Sequence, residues 1–245
     1  MPFRVTTSSG HLDAALGLYV CEAAAEAITR RGVFVLCISG GSLPAPLASA
    51  LAWAHGAGLP LRSECWHVFY ADERHVPLAA SDSNHCAAAA ALAGAPWFQA
   101  ALHPIDPALP LGACAEAYAA ELGAQLARSG GVVDMVLLGM GPDGHTASLF
   151  PGHALLAEAR LLVAPIADSP KPPPARVTLT LPAITSARAV AFVALGEAKA
   201  PLVAAIASAV PEARGLPAAM VHAASAAPVT WFLDAAAARL LYPTS

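Results

Sequence analysis

The chain has 245 residues, enough for one large α/β domain with a sizeable core, and residues 1–245 read as a single domain. Hydrophobic residues make up 57% and charged residues 12%, which excludes a disordered or coiled-coil chain. The net charge of −4, from 13 basic and 17 acidic residues without a basic stripe, argues against nucleic acid as a partner but permits a local cationic pocket.

Phe3 to Thr6 predict a short strand, followed by an Ala-rich helix from Leu12 to Arg31. Arg30 and Arg31 suit that helix's negative end, and Gly32 is its predicted cap. VFVLCIS, opening at Val33, is an apolar run of strand length. SGGSLP and a helix from Ala45 to His55 come next. CWHVFY (Cys65–Tyr70) predicts a second strand running straight into ADERHVP. A helix is expected from Ser83 to Ala93, loop from Trp97 to Pro110, and a helix from Cys114 to Ser129 ended by Gly130 and Gly131. Val132 to Leu138 predict the third clear strand, leaving through GMGPDGHTASLFPG. Leu161 to Ile166 and VTLTL (Val177–Leu181) predict further strands on either side of the proline-stiffened DSPKPPP. Pro182 to Ile184 start a short helix, and AVAFVAL (Ala189–Leu195) predicts a buried strand. GEAK then leads to a helix from Pro201 to Val210. Val229 to Leu233 predict an edge strand, and Asp234 caps the last helix.

Short apolar strands alternating with Ala-rich helices predict an α/β fold: an open, mostly parallel sheet with helices on both faces. Ligands of such sheets lie beyond the carboxyl ends of the strands. Four unusual turns fall there: SGGS, ADER, GMGPDGH and GEAK. Gly40 and Gly41 permit close backbone approach to a ligand, and Ser42 either donates to it or caps the next helix. Asp72-Glu73-Arg74 put three charges together in a charge-poor chain, and Arg74 is a fork of donors for an oxyanion. Asp143 and His145, two apart in a glycine turn, can share a pocket, with His145 able to take a proton from water. Arg176 and Lys199 are candidate cations for a dianion. Ser148 lacks the GxSxG context of a nucleophile. No HExxH or tight His/Cys cluster predicts a metal site. These residues point to a phosphorylated small metabolite bound at one sheet edge beside a proton-transferring histidine; they do not choose the reaction.

Cys21, Cys37, Cys65, Cys86 and Cys114 form no CxxC pair, which predicts reduced thiols in an intracellular protein. MPFRVTTSSGHLDAA lacks the apolar core of a signal peptide, and no stretch reads as a membrane span. The expectation is a soluble cytoplasmic protein without a membrane partner, compatible with a monomer or a homodimer.

SGGSLP, ADERHVP followed by SDSN, DMVLLGMGPDGHTASLFPGH, APIADSPKPPPARVTLTLPAI, FVALGEAKA and WFLDAAAARLL together resemble the 6-phosphogluconolactonase family. The resemblance runs from the first clear strand to the last helix. It implies a fold similar to that of glucosamine-6-phosphate deaminase and ribose-5-phosphate isomerase. It also implies cofactor-free hydrolysis of 6-phospho-D-glucono-1,5-lactone to 6-phospho-D-gluconate, in the oxidative pentose phosphate pathway. By resemblance, His145 activates water, Asp143 is its companion, and Arg74 lies near the lactone. Asp72 and Glu73 organise the charged loop. Gly40, Gly41 and Ser42 form the phosphate turn, with Arg176 and Lys199 as cationic partners. A sugar-phosphate isomerase/deaminase and a non-catalytic sugar-phosphate sensor are the alternatives.

Overall fold

The structure, a computed structural model, describes residues 3–6, 8–92 and 95–241. Seven parallel strands form the main sheet: β1 (Phe3–Thr6), β2 (Phe34–Ile38), β3 (Trp66–Tyr70), β5 (Ala101–His103), β6 (Met135–Leu138), β9 (Ala189–Ala194) and β10 (Thr230–Asp234). Their spatial order is β1-β10-β9-β6-β2-β3-β5. Three more strands, β4 (Asp72–Arg74), β7 (Val163–Ile166) and β8 (Arg176–Leu179), make a small antiparallel sheet in the order β4-β8-β7. The helices are α1 (Ser9–Arg31), α2 (Pro44–Gly56), α3 (Asn84–Leu92), α4 (Leu111–Ser129), α5 (Leu181–Thr185), α6 (Ala200–Ala207), α7 (Pro217–Ala224) and α8 (Ala235–Ala238).

All five residues of β2 are buried, because helices cover both faces of the sheet. Side chains alternate across a strand, so Phe34, Leu36 and Ile38 pack with Leu16 and Val20 of α1 and Leu47 and Leu51 of α2. Val35 and Cys37 point the other way, into a core shared with Tyr118 and Leu122 of α4, Val203 of α6 and Val221 of α7.

The predicted strands recur nearly as read, with differences that have physical reasons. β5 lies where loop was expected; three residues among prolines carry too little alternation to signal an edge strand. α7, not predicted, starts on Pro217 in its first turn, where a proline is tolerated. β10 is interior, between β1 and β9, so β1 is the edge. Asp72–Arg74 of ADER form a strand, and β7 and β8 leave the main sheet for the antiparallel one. The predicted end of the third helix, Ala93, lies outside the described residues. α1 begins earlier than expected because Ser8 caps it, accepting from His11 N at 3.2 Å. Gly32 ends it as predicted, with φ 73° and its N–H on Ile28 O.

Asp134 joins the elements below the sheet's functional edge. It is 3% exposed. It accepts from Val35 N at 2.9 Å and from Arg31 Nη2 at 2.7 Å, while Arg188 Nε lies 3.4 Å away. Truncation would strand the buried Val35 N–H and take the carboxylate partner from Arg31. Asp134→Ala is expected to lower unfolding stability by about 3 kcal/mol, measured by urea denaturation.

Candidate active site

The order of the main sheet reverses at β2, which has β3 on one side and β6 on the other. The connections after β2 and β6 therefore diverge and leave a crevice at the carboxyl edge. A cavity of about 220 Å³ occupies it, lined among others by Ser39, Gly40, Gly41, Ser42, Asp72, Arg74, Asn84, Met140, His145 and Arg176.

The turn after β2 approaches closely because Gly40 has no side chain. A Cβ there would lie 1.8 Å from Asn84 Oδ1. Ser42 lines the cavity and does not cap α2, whose N-cap position is Leu43, without a side-chain bond. Pro44 and Pro46 carry no N–H, so α2 offers fewer first-turn amide donors than the turn suggested.

Strand geometry explains the three charges of ADER. In β4, Asp72 and Arg74 share one side and Glu73 takes the other. Asp72 is 5% exposed and accepts from Ser148 Oγ at 2.7 Å. Its backbone carbonyl accepts from Asn84 Nδ2 at 2.7 Å. Glu73 is 1% exposed and caps α3 from a distance, accepting from Asn84 N and His85 N, each at 2.7 Å, and from Ser83 Oγ at 3.1 Å. Burial raises the Glu73 carboxyl, and the N–H donors of Asn84, His85 and Arg74 only partly offset this. Arg74 Nη1 donates to Asp82 O at 2.8 Å. Arg74 Nε and Ser39 Oγ are buried without a hydrogen-bond partner among the described residues, and both residues line the cavity.

The turn after β6 brings Asp143 and His145 together. His145 Nδ1 is bonded to Asp143 Oδ1, and the ring packs at 4.9 Å between centroids on Phe150. A Cβ at Gly141 would fall 2.0 Å from the imidazole, so this position requires glycine. Burial lowers the His145 pKa; Asp143 opposes the shift without reversing it, and the charge of Lys171 adds to it. Burial alone would raise the Asp143 carboxyl, but the bonds and charges of His145 and the bond from Lys171 hold it at about 2. With Nδ1–H donated to a carboxylate, Nε2 of the neutral ring is the basic nitrogen.

Of the residues expected from sequence, Gly40, Gly41, Ser42, Asp72, Arg74, His145 and Arg176 line one cavity, and Asp143 backs His145. Lys199 is not in the lining; its Nζ donates at 2.6 Å to the carbonyl oxygen of Met140, which is. Arg176, expected as a cation for the ligand, is 3% exposed, and four of its five N–H donors already serve the protein. Ser148 is fully buried, its hydroxyl donated to Asp72. Sequence reasoning missed Lys171, whose signal was a cation within a proline run, and did not single out Asn84, which lines the cavity. Among the described residues, no group of three His, Cys, Asp or Glu side chains is placed to hold a metal ion. No described helix is long and apolar enough to cross a membrane.

The chain is similar to proteins of known family. Residues 7–231 match the family described as glucosamine-6-phosphate isomerases/6-phosphogluconolactonase. The chain is 45% identical over 242 residues to the 6-phosphogluconolactonase of Rattus norvegicus, covering 97% of this chain and 92% of the rat protein. It is 44% identical over 240 residues to that of Homo sapiens, with the same coverage of 97% and 92%. Its fold is similar to the solved structure of 6-phosphogluconolactonase from Trypanosoma cruzi, with a TM-score of 0.81 and 28% identity, over 98% of this chain and 96% of that one. The family match over residues 7–231 and the 44–45% identity to these relatives over nearly the whole chain place the chain in the glucosamine-6-phosphate isomerase/6-phosphogluconolactonase family.

Proposed function

We propose that this chain hydrolyses 6-phospho-D-glucono-1,5-lactone to 6-phospho-D-gluconate, a step of the oxidative pentose phosphate pathway, with residues 1–245 acting as one domain. The observation that carries the reading is His145: a neutral imidazole lining the cavity, its Nδ1 held by Asp143, in a chain 45% identical to a 6-phosphogluconolactonase.

In this mechanism a water at the cavity side of His145 attacks the lactone carbonyl and passes a proton to Nε2. The carbonyl becomes a tetrahedral oxyanion. Arg74, with a buried and unpartnered Nε, is the donor suited to it. Collapse breaks the bond to the ring oxygen, which takes the proton back from His145. Asp143 holds the tautomer and does not itself titrate. The glycine turn of Gly40, Gly41 and Ser42 receives the phosphate, and Lys199, bonded to Met140 O, adds positive charge. Asp72 fixes the floor between Ser148 and Asn84. Arg176 has one donor left for the ligand and serves mainly to hold the neighbouring loop.

Fresh 6-phosphogluconolactone should disappear much faster with the protein than spontaneously at neutral pH, while unphosphorylated gluconolactone gains little. No acceleration from folded protein rejects the reading; release of ammonia from glucosamine 6-phosphate would replace it with the deaminase. His145→Ala should lower kcat by about 10²–10⁴-fold in steady-state assays. Because burial lowers the His145 pKa below its ordinary 6.5, the base stays neutral at pH 7, and kcat/KM should fall only on the acid side of that value. Lys199→Ala should mainly raise KM, since a charge on the remote phosphate contributes to ground state and transition state alike.

A further inference from the structure

The loop between β7 and β8 brings Lys171 to the catalytic pair. Its Nζ lies 3.2 Å from Asp143 Oδ1 and 3.2 Å from His145 Nδ1. The backbone beneath it is fixed. Arg176 donates from Nη2 to Lys171 O at 2.8 Å and Pro172 O at 3.1 Å, and from Nε to Pro173 O at 2.9 Å. Ser169 Oγ donates to Lys171 O at 2.9 Å and accepts from Lys171 N at 3.2 Å. A lysine on a loose surface loop would extend into water. This one is 35% exposed and returns to a carboxylate that already serves the imidazole.

Asp143 Oδ1 accepts from both neighbours, the imidazole Nδ1–H and the ammonium. The two donors therefore face each other across one oxygen. Their contact is tolerable while the ring is neutral and repulsive once it carries a second proton. Among the described residues, Asp143 from its own turn, Asp72 from β4 and Lys171 from this loop act on the charge of His145, and Lys199 acts in turn on Asp143 and Lys171; the Phe150 ring closes another side. Asp143 and Asp72 favour the imidazolium, whereas burial and Lys171 oppose it.

We propose that Lys171 is a positioning residue for His145: its ammonium, carried on the loop that Arg176 pins, clamps Asp143 against Nδ1 and sets a positive charge beside the imidazole. The inference rests on the reading of His145 as the base. It explains how the ring gains orientation from a carboxylate without gaining its full effect on basicity. The proton taken from water at Nε2 is then readily returned to the departing ring oxygen. Lys171 neither gives nor receives a proton in the cycle.

The test is an NMR titration of the His145 ring in the wild type, Lys171→Gln and Lys171→Arg, alongside pH profiles of kcat/KM and thermal melts. In Lys171→Gln the His145 titration should move to higher pH, the acid limb of kcat/KM should move with it, and activity at mildly acid pH should fall several-fold. Lys171→Arg, which keeps the charge, should titrate with the wild type. Lys171→Met gives the same reading if glutamine disturbs the loop. An unmoved His145 titration in folded Lys171→Gln and Lys171→Met overturns the inference, as does a rise in KM with an unchanged pH profile. Full turnover in His145→Ala would instead remove the base assignment itself, so the two failures are separable.

Discussion

Seven strands running in one direction put all their carboxyl ends on one edge of the sheet, and everything functional in this protein follows from that constraint. Since β2 has β3 on one flank and β6 on the other, the chain leaves in opposite senses after adjacent strands. Glycine turns with no side chains to fill the gap between them leave room for a ligand, while Asp72, Arg74 and His145 project into it.

The second constraint is charge burial. Asp72, Glu73 and Arg176 are at most 5% exposed in a chain with few charges, and each is surrounded by donors or acceptors that fix it. Removing an ionised group from water is costly unless its hydrogen-bonding capacity is met. Glu73 is met by the start of α3, Asp72 by Ser148 and the Asn84 amide, and Arg176 by three loop carbonyls. These largely paired groups make a fixed wall. Against it stand the groups that keep chemistry available: Arg74, whose Nε has no hydrogen-bond partner among the described residues, and His145, whose Nδ1 is bonded to Asp143 and whose ring lines the cavity. Preorganisation of the first set lets the second act without reorganising during the reaction.

The antiparallel sheet has its own part in this. It takes the chain directly from the end of β3 through β4, and pairs β4 with β8 so that Arg74 lies opposite Arg176. The two cations tolerate this proximity because Arg176 sits 3.8 Å from Asp72 and is otherwise engaged with carbonyls, while Arg74 turns toward Asp82 O. The same pairing fixes the end of the proline loop, and so the position of Lys171 relative to the Asp143–His145 pair.

The parallel sheet, its helices and the four strand-end turns were legible in the sequence because they depend on local pattern: apolar runs of strand length, a glycine after a helix, charges where strands end. Residue type and position after a strand were also enough to pick out His145 and Arg74, which line the cavity, and Asp143, which bonds to His145. Sequence did not reveal that Asp72–Arg74 of ADER form a strand, that β7 and β8 form a separate sheet, or that β10 is interior, because pairing partners lie far apart in the chain. Nor did it separate Arg176 from Arg74 or single out Lys171. What distinguishes those three cations is which carbonyls, carboxylates and rings surround them, and only the packing of distant segments decides that.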